Sequence, residues 1–339
     1  MSDRIRVVVL YGGRSSEHEI SLQSGSSVLA ALDPERYEPV PVQIDRQGGW
    51  QLEPGSQRLR LEPGADRCSL VPGHAADRID VVIPVLHGPF GEDGTAQGLL
   101  EMLGLPYVGS GVLGSALTMD KDAVKLVLRS AGIAVARSVA FRNRRWERAA
   151  AESLGYPCFV KPARLGSSVG ISKVHSPDEL EPAMRLAFEH DSKVLVEEFV
   201  EGRELELGVL GNADPQVSVP GEIVIANDSE WYDYAAKYDE GGMRLVAPAD
   251  LPAPVTEELQ DVARRAFEVC ECAGMARIDF FVTPQQRVVL NEINTIPGFT
   301  ATSVYARLFQ ASGVGYGELL DRLIQLALQR HADEAGYKN

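Results

Sequence analysis

In the stretch ARIDFFVTPQQRVVLNEINTIPG, Asp279, Glu292 and Asn294 have the types and spacing to bind a hard cation. Two runs of β-branched and aromatic residues flank Thr-Pro-Gln-Gln, a turn-like set, which predicts a hairpin. A turn centred between Gln285 and Gln286 puts Asp279 directly opposite Glu292, and Asn294 lies two residues on along the same face. Two carboxylates opposed on a sheet repel and need a counter-charge. Oxygen-only ligands suit Mg²⁺, which binds through a few carboxylates together with substrate phosphates. The alternative is a solvent-facing polar strand with no ligand.

A second stretch, VKPARLGSSVG, places Lys161 ahead of a glycine- and serine-rich tip. In the Walker phosphate loop the lysine follows the glycines, so that mechanism does not fit. Gly166-Ser167-Ser168 between two strand-like runs reads either as a hinged flap or as an ordinary hairpin turn, and Lys161 reads as a phosphate contact or a solvated strand end. Lys121 falls in the first turn of a helix, where a cation opposes the macrodipole, so a nearby anion is expected. Lys237, in YDYAAKY, sits on an aromatic-rich loop that could equally fold onto its own rings.

These residues need several elements to bring them together. The 339-residue chain is long enough for two or three cores, with the apolar and charged content of a globular protein. A net charge of −15 argues against nucleic acid or an anionic membrane as partner, so an anion must be met by a local cluster. No apolar run reaches membrane-spanning length, and the start leads directly into a strand, not a secretory signal. Cys68, Cys158, Cys270 and Cys272 have no zinc-type spacing and read as packing residues in a reducing cytosol, Cys270 and Cys272 pointing different ways along a helix.

The N-terminal third alternates strand and helix patterns, which predicts a parallel sheet with helices outside it and ligands at the carboxyl ends of the strands. Two such ends are the glycine turns YGGRSSEHE and HGPFGEDG, while 47–78 reads as an irregular insertion. After the helix pattern MDKDAVKLVLRSAG come CFVKPA, VGISKV, a helix opening on a Ser-Pro-Asp-Glu capping signal, and KVLVEEFV: a small antiparallel lid. A loop, a helix, the hairpin and a closing helix YGELLDRLIQLALQRH follow.

Taken in order, GGRSSEHEISLQSG, LHGPFGEDGTAQG, PYVGSG, MDK, VKPARLGSSVG, YDYAAKY, RIDFF and NEINTIPGFTATS resemble the D-alanine:D-alanine ligase family of ATP-grasp ligases over nearly the whole chain outside 47–78. The resemblance implies an α/β ATP-grasp fold: an N-terminal parallel α/β domain over 1–118, an antiparallel lid over 119–202 and a C-terminal α+β domain over 203–339. It implies a cytoplasmic homodimeric enzyme of peptidoglycan synthesis that joins two D-alanines through a D-alanyl phosphate. ATP would lie between lid and C-terminal domain, with Lys121, Lys161 and Lys237 on its phosphates and Ser168 in the flap. Glu197 and the backbone of Glu198 to Val200 would hold adenine, and Glu204 the ribose. Asp279, Glu292 and Asn294 would hold two Mg²⁺ ions, with Mn²⁺ as a substitute. Glu17 would take the first ammonium group, His87 the first carboxylate region, and Ser303 with the Val304 backbone the second carboxylate; Arg277 would stabilise the oxyanion. Tyr238 would bond Ser167 and through it Glu17, favouring an amine over a hydroxy acid as acceptor.

Two other classes fit parts of the sequence. A dinucleotide oxidoreductase fits the first glycine turn, but no G-x-G-x-x-G follows it. A nucleotide sensor would not need a metal set and an arginine over an acyl centre.

Overall fold

The strand Ile5–Gly12 is continuously apolar and buried from Val7 to Leu10 because helices cover both faces of its sheet. Val7 and Val9 enter a core shared with the helices His18–Ala31 and Tyr316–Ala335, while Val8 and Leu10 enter another with Leu100 and Leu105. In this sheet the order is Trp50–Gln51, Tyr37–Ile44, Ile5–Gly12, Val81–Val85. The last three run parallel, as the alternating pattern predicted, and Trp50–Gln51 is antiparallel. The computed structural model describes residues 4–52, 60–62, 69–71, 79–225 and 242–337. Within 47–78, expected to be irregular, the described residues form three short strands, of which Arg60–Glu62 and Ser69–Val71 pair with each other.

The lid is the antiparallel sheet Ser138–Arg142, Lys193–Glu198, Cys158–Pro162, Ser172–Val174, in that order, with the helix Pro177–His190 packed on it. The expected serine cap is not made. The Ser176 hydroxyl caps no backbone N–H, and the Glu179 carboxylate accepts the His175 N–H at 2.9 Å instead.

The third sheet runs Met243–Val246, Gly221–Ile225, Arg203–Gly211, Gly274–Val282, Val288–Asn294, all antiparallel, with Gln216–Val217 also on Arg203–Gly211. Asp279 faces Glu292 and Arg277 faces Asn294, the predicted register. Nearer the turn the register differs, since Phe280 pairs with Leu290 and Val282 with Val288, which centres the turn on Gln285. A bulge between Asp279 and Phe280 leaves Asn291 as the extra residue and restores the pairing at the acidic end.

The cores cross the expected segments. Val124 and Leu128 of the helix Lys121–Ser130 pack with the third sheet and the helix Ala253–Val269, so the lid's own sheet starts only at Ser138. The closing helix Tyr316–Ala335 buries Leu319, Leu320 and Leu323 against the N-terminal sheet. The helix of FEVCECAGM ends at Val269; Cys270 and Cys272 lie beyond it and share one core instead of pointing apart, both buried. Short helices Val112–Met119 and Val304–Ala311 were not anticipated.

Candidate active site

A cavity of about 400 Å³ lies between the lid sheet and the third sheet. Lys121, Lys161, Ser168, Glu197, Glu198, Val200 and Glu204, each expected at a nucleotide, all line it. Lys121 opens its helix behind Asp120, whose carboxylate caps the backbone N–H groups of Asp122 and Ala123. That cap leaves the Lys121 side chain free to reach inward, where it donates to Leu165 O at 2.7 Å and lies 4.0 Å from Glu292. Lys161 Nζ is 2.5 Å from Glu197 Oε1, and a second lysine, Lys125, is 2.6 Å from Glu197 Oε2. Burial alone would raise the Glu197 carboxyl, but the two ammonium groups prevail and hold it at about 2. Glu198 pairs outward with Arg137 at 2.5 Å, and its backbone N–H donates to Arg137 O at 3.0 Å. The rings of Phe159 and Phe199, 6.2 Å apart, form an apolar end to the space.

The Gly166-Ser167-Ser168 tip connects the lid strands Cys158–Pro162 and Ser172–Val174. Ser167 and Ser168 both carry left-handed φ, 49° and 58°, a conformation that costs non-glycine residues about 1 kcal/mol or more each and collects at functional loops. The Ser167 hydroxyl donates to Glu17, tying the flap to the N-terminal sheet. This bond is the described part of the expected Tyr238–Ser167–Glu17 chain; Tyr238 and Lys237 lie outside the described residues.

A second cavity of about 300 Å³ adjoins the first, and Lys121, Gly166, Ser167, Asn291 and Glu292 line both. Glu17, His87, Arg277, Asn294, Ser303 and Val304 line this one. Glu17 is buried just ahead of the helix His18–Ala31, close against Gly88. His87 is buried at the end of the strand Val81–Val85, its Nδ1 3.0 Å from Ile296 O and its Nε2 3.0 Å from Ser24 Oγ. Burial favours the neutral ring, yet Glu92 and Glu17 outweigh it and raise the His87 pKa. Ser303 precedes the helix Val304–Ala311, and Ser303 and Val304 at its N-terminus line the cavity wall. The Ser303 hydroxyl meanwhile accepts from Thr300 N at 3.0 Å.

Arg277 grips Asp279 with two bonds of 2.8 Å and lies 3.0 Å from Glu206; Asn294 Nδ2 donates to Asp279 at 3.0 Å. The counter-charge that the opposed carboxylates require is therefore Arg277, with Lys121 at longer range. Among the described residues no three His, Cys, Asp or Glu side chains come together as a metal cage. The oxygen set is two carboxylates and one amide, a donor chemistry that fits Mg²⁺ with phosphate completing the shell.

Three residues escaped the sequence reading. Glu206 lies two positions after Glu204, so strand alternation puts it on the same face, opposite Asp279. Lys125 belongs to the buried stripe with Val124 and Leu128. Asn291 enters the shared wall only through the bulge, which no local pattern announces.

Residues 6–110 match the family described as D-ala D-ala ligase N-terminus, and residues 127–325 that described as D-ala D-ala ligase C-terminus. The D-alanine–D-alanine ligase of Deinococcus radiodurans is 49% identical over 96% of this chain and 98% of its own. Ligase A of Escherichia coli is 44% identical over 99% of each. Among solved structures, the D-alanine-D-alanine ligase of Coxiella burnetii superposes with a TM-score of 0.89 at 37% identity, over 98% of this chain and 96% of that one. The VanG D-Ala:D-Ser ligase of Enterococcus faecalis superposes at 0.84 and 36%, over 96% and 99%. A Bacillus anthracis D-alanine–D-alanine ligase solved with ATP gives 0.78 at 27%, over 97% and 99%. The parallel N-terminal sheet, the antiparallel lid and the bulged carboxylate hairpin are thus the parts of one known architecture, and the chain belongs to the D-alanine–D-alanine ligase family.

Proposed function

We propose that the protein joins two D-alanines at the expense of ATP, giving D-alanyl-D-alanine, ADP and phosphate. One observation carries the reading: the two cavities share a wall of Lys121, Ser167 and Glu292, so a phosphoryl group bound in the larger one meets a carboxylate bound in the smaller. A carboxylate does not acylate an amine at neutral pH, so it must first be activated. An oxygen of the first D-alanine carboxylate attacks the γ-phosphorus, the bond to ADP breaks, and an acyl phosphate results. The amine of the second D-alanine then attacks the acyl carbon, loses a proton and expels phosphate.

Each residue has a part in this sequence. Lys121, Lys161 and Lys237 neutralise phosphate charge, and the flap N–H groups of Gly166 to Ser168 donate to it. Asp279, Glu292 and Asn294 would hold two Mg²⁺ ions, which supply positive charge to the phosphates. Glu197, the Glu198 to Val200 backbone and Phe199 hold adenine, and Glu204 the ribose. Glu17 holds the first ammonium group and His87 orients the adjoining carboxylate. Arg277 stabilises the oxyanion and is held from the other side by Glu206, a partner that would remain if Asp279 held a metal ion. Ser303 and the Val304 N–H receive the second carboxylate. The flap excludes water, which would hydrolyse the acyl phosphate. The family likeness also supports a cytoplasmic homodimer serving peptidoglycan synthesis.

The test is phosphate release from ATP with the purified enzyme, together with chromatography of the product. Release that requires D-alanine and yields the dipeptide is expected; release indifferent to D-alanine, or none, would overturn the reading.

A further inference from the structure

Lys125 is the most deeply buried charged side chain near the site and has no part in the chemistry above. Only 1% exposed, it cannot touch a ligand. It stands one helical turn after Lys121, and its Nζ lies 2.6 Å from Glu197 Oε2 while Lys161 takes Oε1 at 2.5 Å. The group is thus lysine, carboxylate, lysine, with Arg129 one turn further adding like charge. Burial lowers the Lys125 pKa more than Glu197 restores it, so this position is a costly one for a lysine whose only work is packing.

Charge balance gives it a role. Lys161 and Glu197 alone would make a neutral pair, with both carboxylate oxygens free to hold the one ammonium group. With Lys125 present, one carboxylate is divided between two lysines and a unit of positive charge is left over. Of the two, Lys161 lines the cavity, so the surplus is displayed there and nowhere else in the group. A buried net charge is unfavourable until an anion meets it.

We propose that Lys125 is a positioning residue for the nucleotide: it occupies Glu197 from behind and so frees the charge of Lys161 for the phosphates. This rests on the reading that the larger cavity takes ATP. It predicts that the preference for ATP over adenosine follows the net charge of the Lys125–Glu197–Lys161 group.

The experiment compares the whole enzyme with Lys125→Met, Lys125→Arg, Lys161→Met and the double variant Lys125→Met/Glu197→Gln. ATP and adenosine affinities are measured by calorimetry, and KM for ATP and D-alanine by phosphate release. Lys125→Met is expected to weaken ATP about tenfold, leaving adenosine and the KM of D-alanine unmoved. Lys125→Arg restores the charge and the affinity. The double variant, again with one surplus charge, regains the wild-type ATP-to-adenosine ratio, and it carries the test if Lys125→Met does not fold. Adenosine and ATP weakened alike, or a double variant with the ratio still tenfold down, would mean that Lys125 only packs. If Lys161→Met lowers the ratio and Lys125→Met does not, the Lys125 role fails alone; if neither does, the nucleotide reading fails with it.

Discussion

Gly88→Ala should damage the first D-alanine site far more than it damages the fold. Gly88 has a φ of +75°, and a Cβ there would stand 2.5 Å from Glu17 Oε2. The left-handed conformation costs an alanine about 1–2 kcal/mol whatever surrounds it. The contact adds little to that, because the atom in the way is the end of a flexible side chain. Glu17 swings aside, and in doing so gives up the hydroxyl of Ser167 and the aim at a substrate ammonium group proposed for it above. A hydrogen bond to a charged group contributes about 1.5–3 kcal/mol, so the KM for the first D-alanine should rise about ten- to a hundredfold. Gly132 supplies the control, with a φ of +73° and nothing within 4 Å of its would-be Cβ. Gly132→Ala should lower the melting temperature by the same few degrees and leave both KM values alone. Differential scanning calorimetry and initial-rate kinetics on the two variants make the comparison. Equal kinetic effects, or a Gly88→Ala enzyme with an unchanged D-alanine KM, would refute the placement of Glu17.

At the hairpin, Glu292→Gln and Asn294→Ala should abolish Mg²⁺-dependent turnover and Mn²⁺ binding with ADP while the circular dichroism spectrum stays intact; near-wild-type activity in either would sink the metal assignment. The raised His87 pKa carries a sign: the stability it contributes is fully present below the ordinary histidine value and lost as pH rises through the higher folded value. Urea unfolding from about pH 6 to 9 should therefore show a stability decline that Glu92→Gln flattens; parallel profiles would exclude the Glu92 contact as its cause. By the family resemblance, Tyr238→Phe should raise the ratio of D-alanyl-D-lactate to D-alanyl-D-alanine, and a ratio that does not move would remove Tyr238 from acceptor choice.

The hairpin shows how far sequence reasoning reached. Opposition of Asp279 and Glu292 was legible from the turn residues, yet it holds because two departures cancel: the turn is centred on Gln285, and the Asn291 bulge shifts the pairing back. Alternation within a strand is a local property and could be read; a bulge answers to packing across the sheet and could not. Lys125 was within reach, since positions 121, 124, 125 and 128 form one helical stripe and a lysine inside it is anomalous. The packing of Tyr316–Ala335 on the first sheet was out of reach, because an amphipathic helix specifies that it has a partner and not which one.

That last contact bears on how the protein is made. Translation delivers the parallel sheet early, with Val7, Val9, Ile83 and Val85 awaiting Leu319, Leu320 and Leu323, which are made only after the lid and the third sheet. The helix His18–Ala31 shields part of this apolar surface in the meantime, and the rest is open to chaperones or to another nascent chain. Tyr37 and Arg36 then latch the late helix through Asp321, and Arg330 lies over the ring of Tyr107 and donates to Gly109 O at 2.7 Å. Completion of the N-terminal unit therefore waits on a helix made after the carboxylate hairpin, so a ribosome stalled before this helix holds that hairpin on an unsealed foundation.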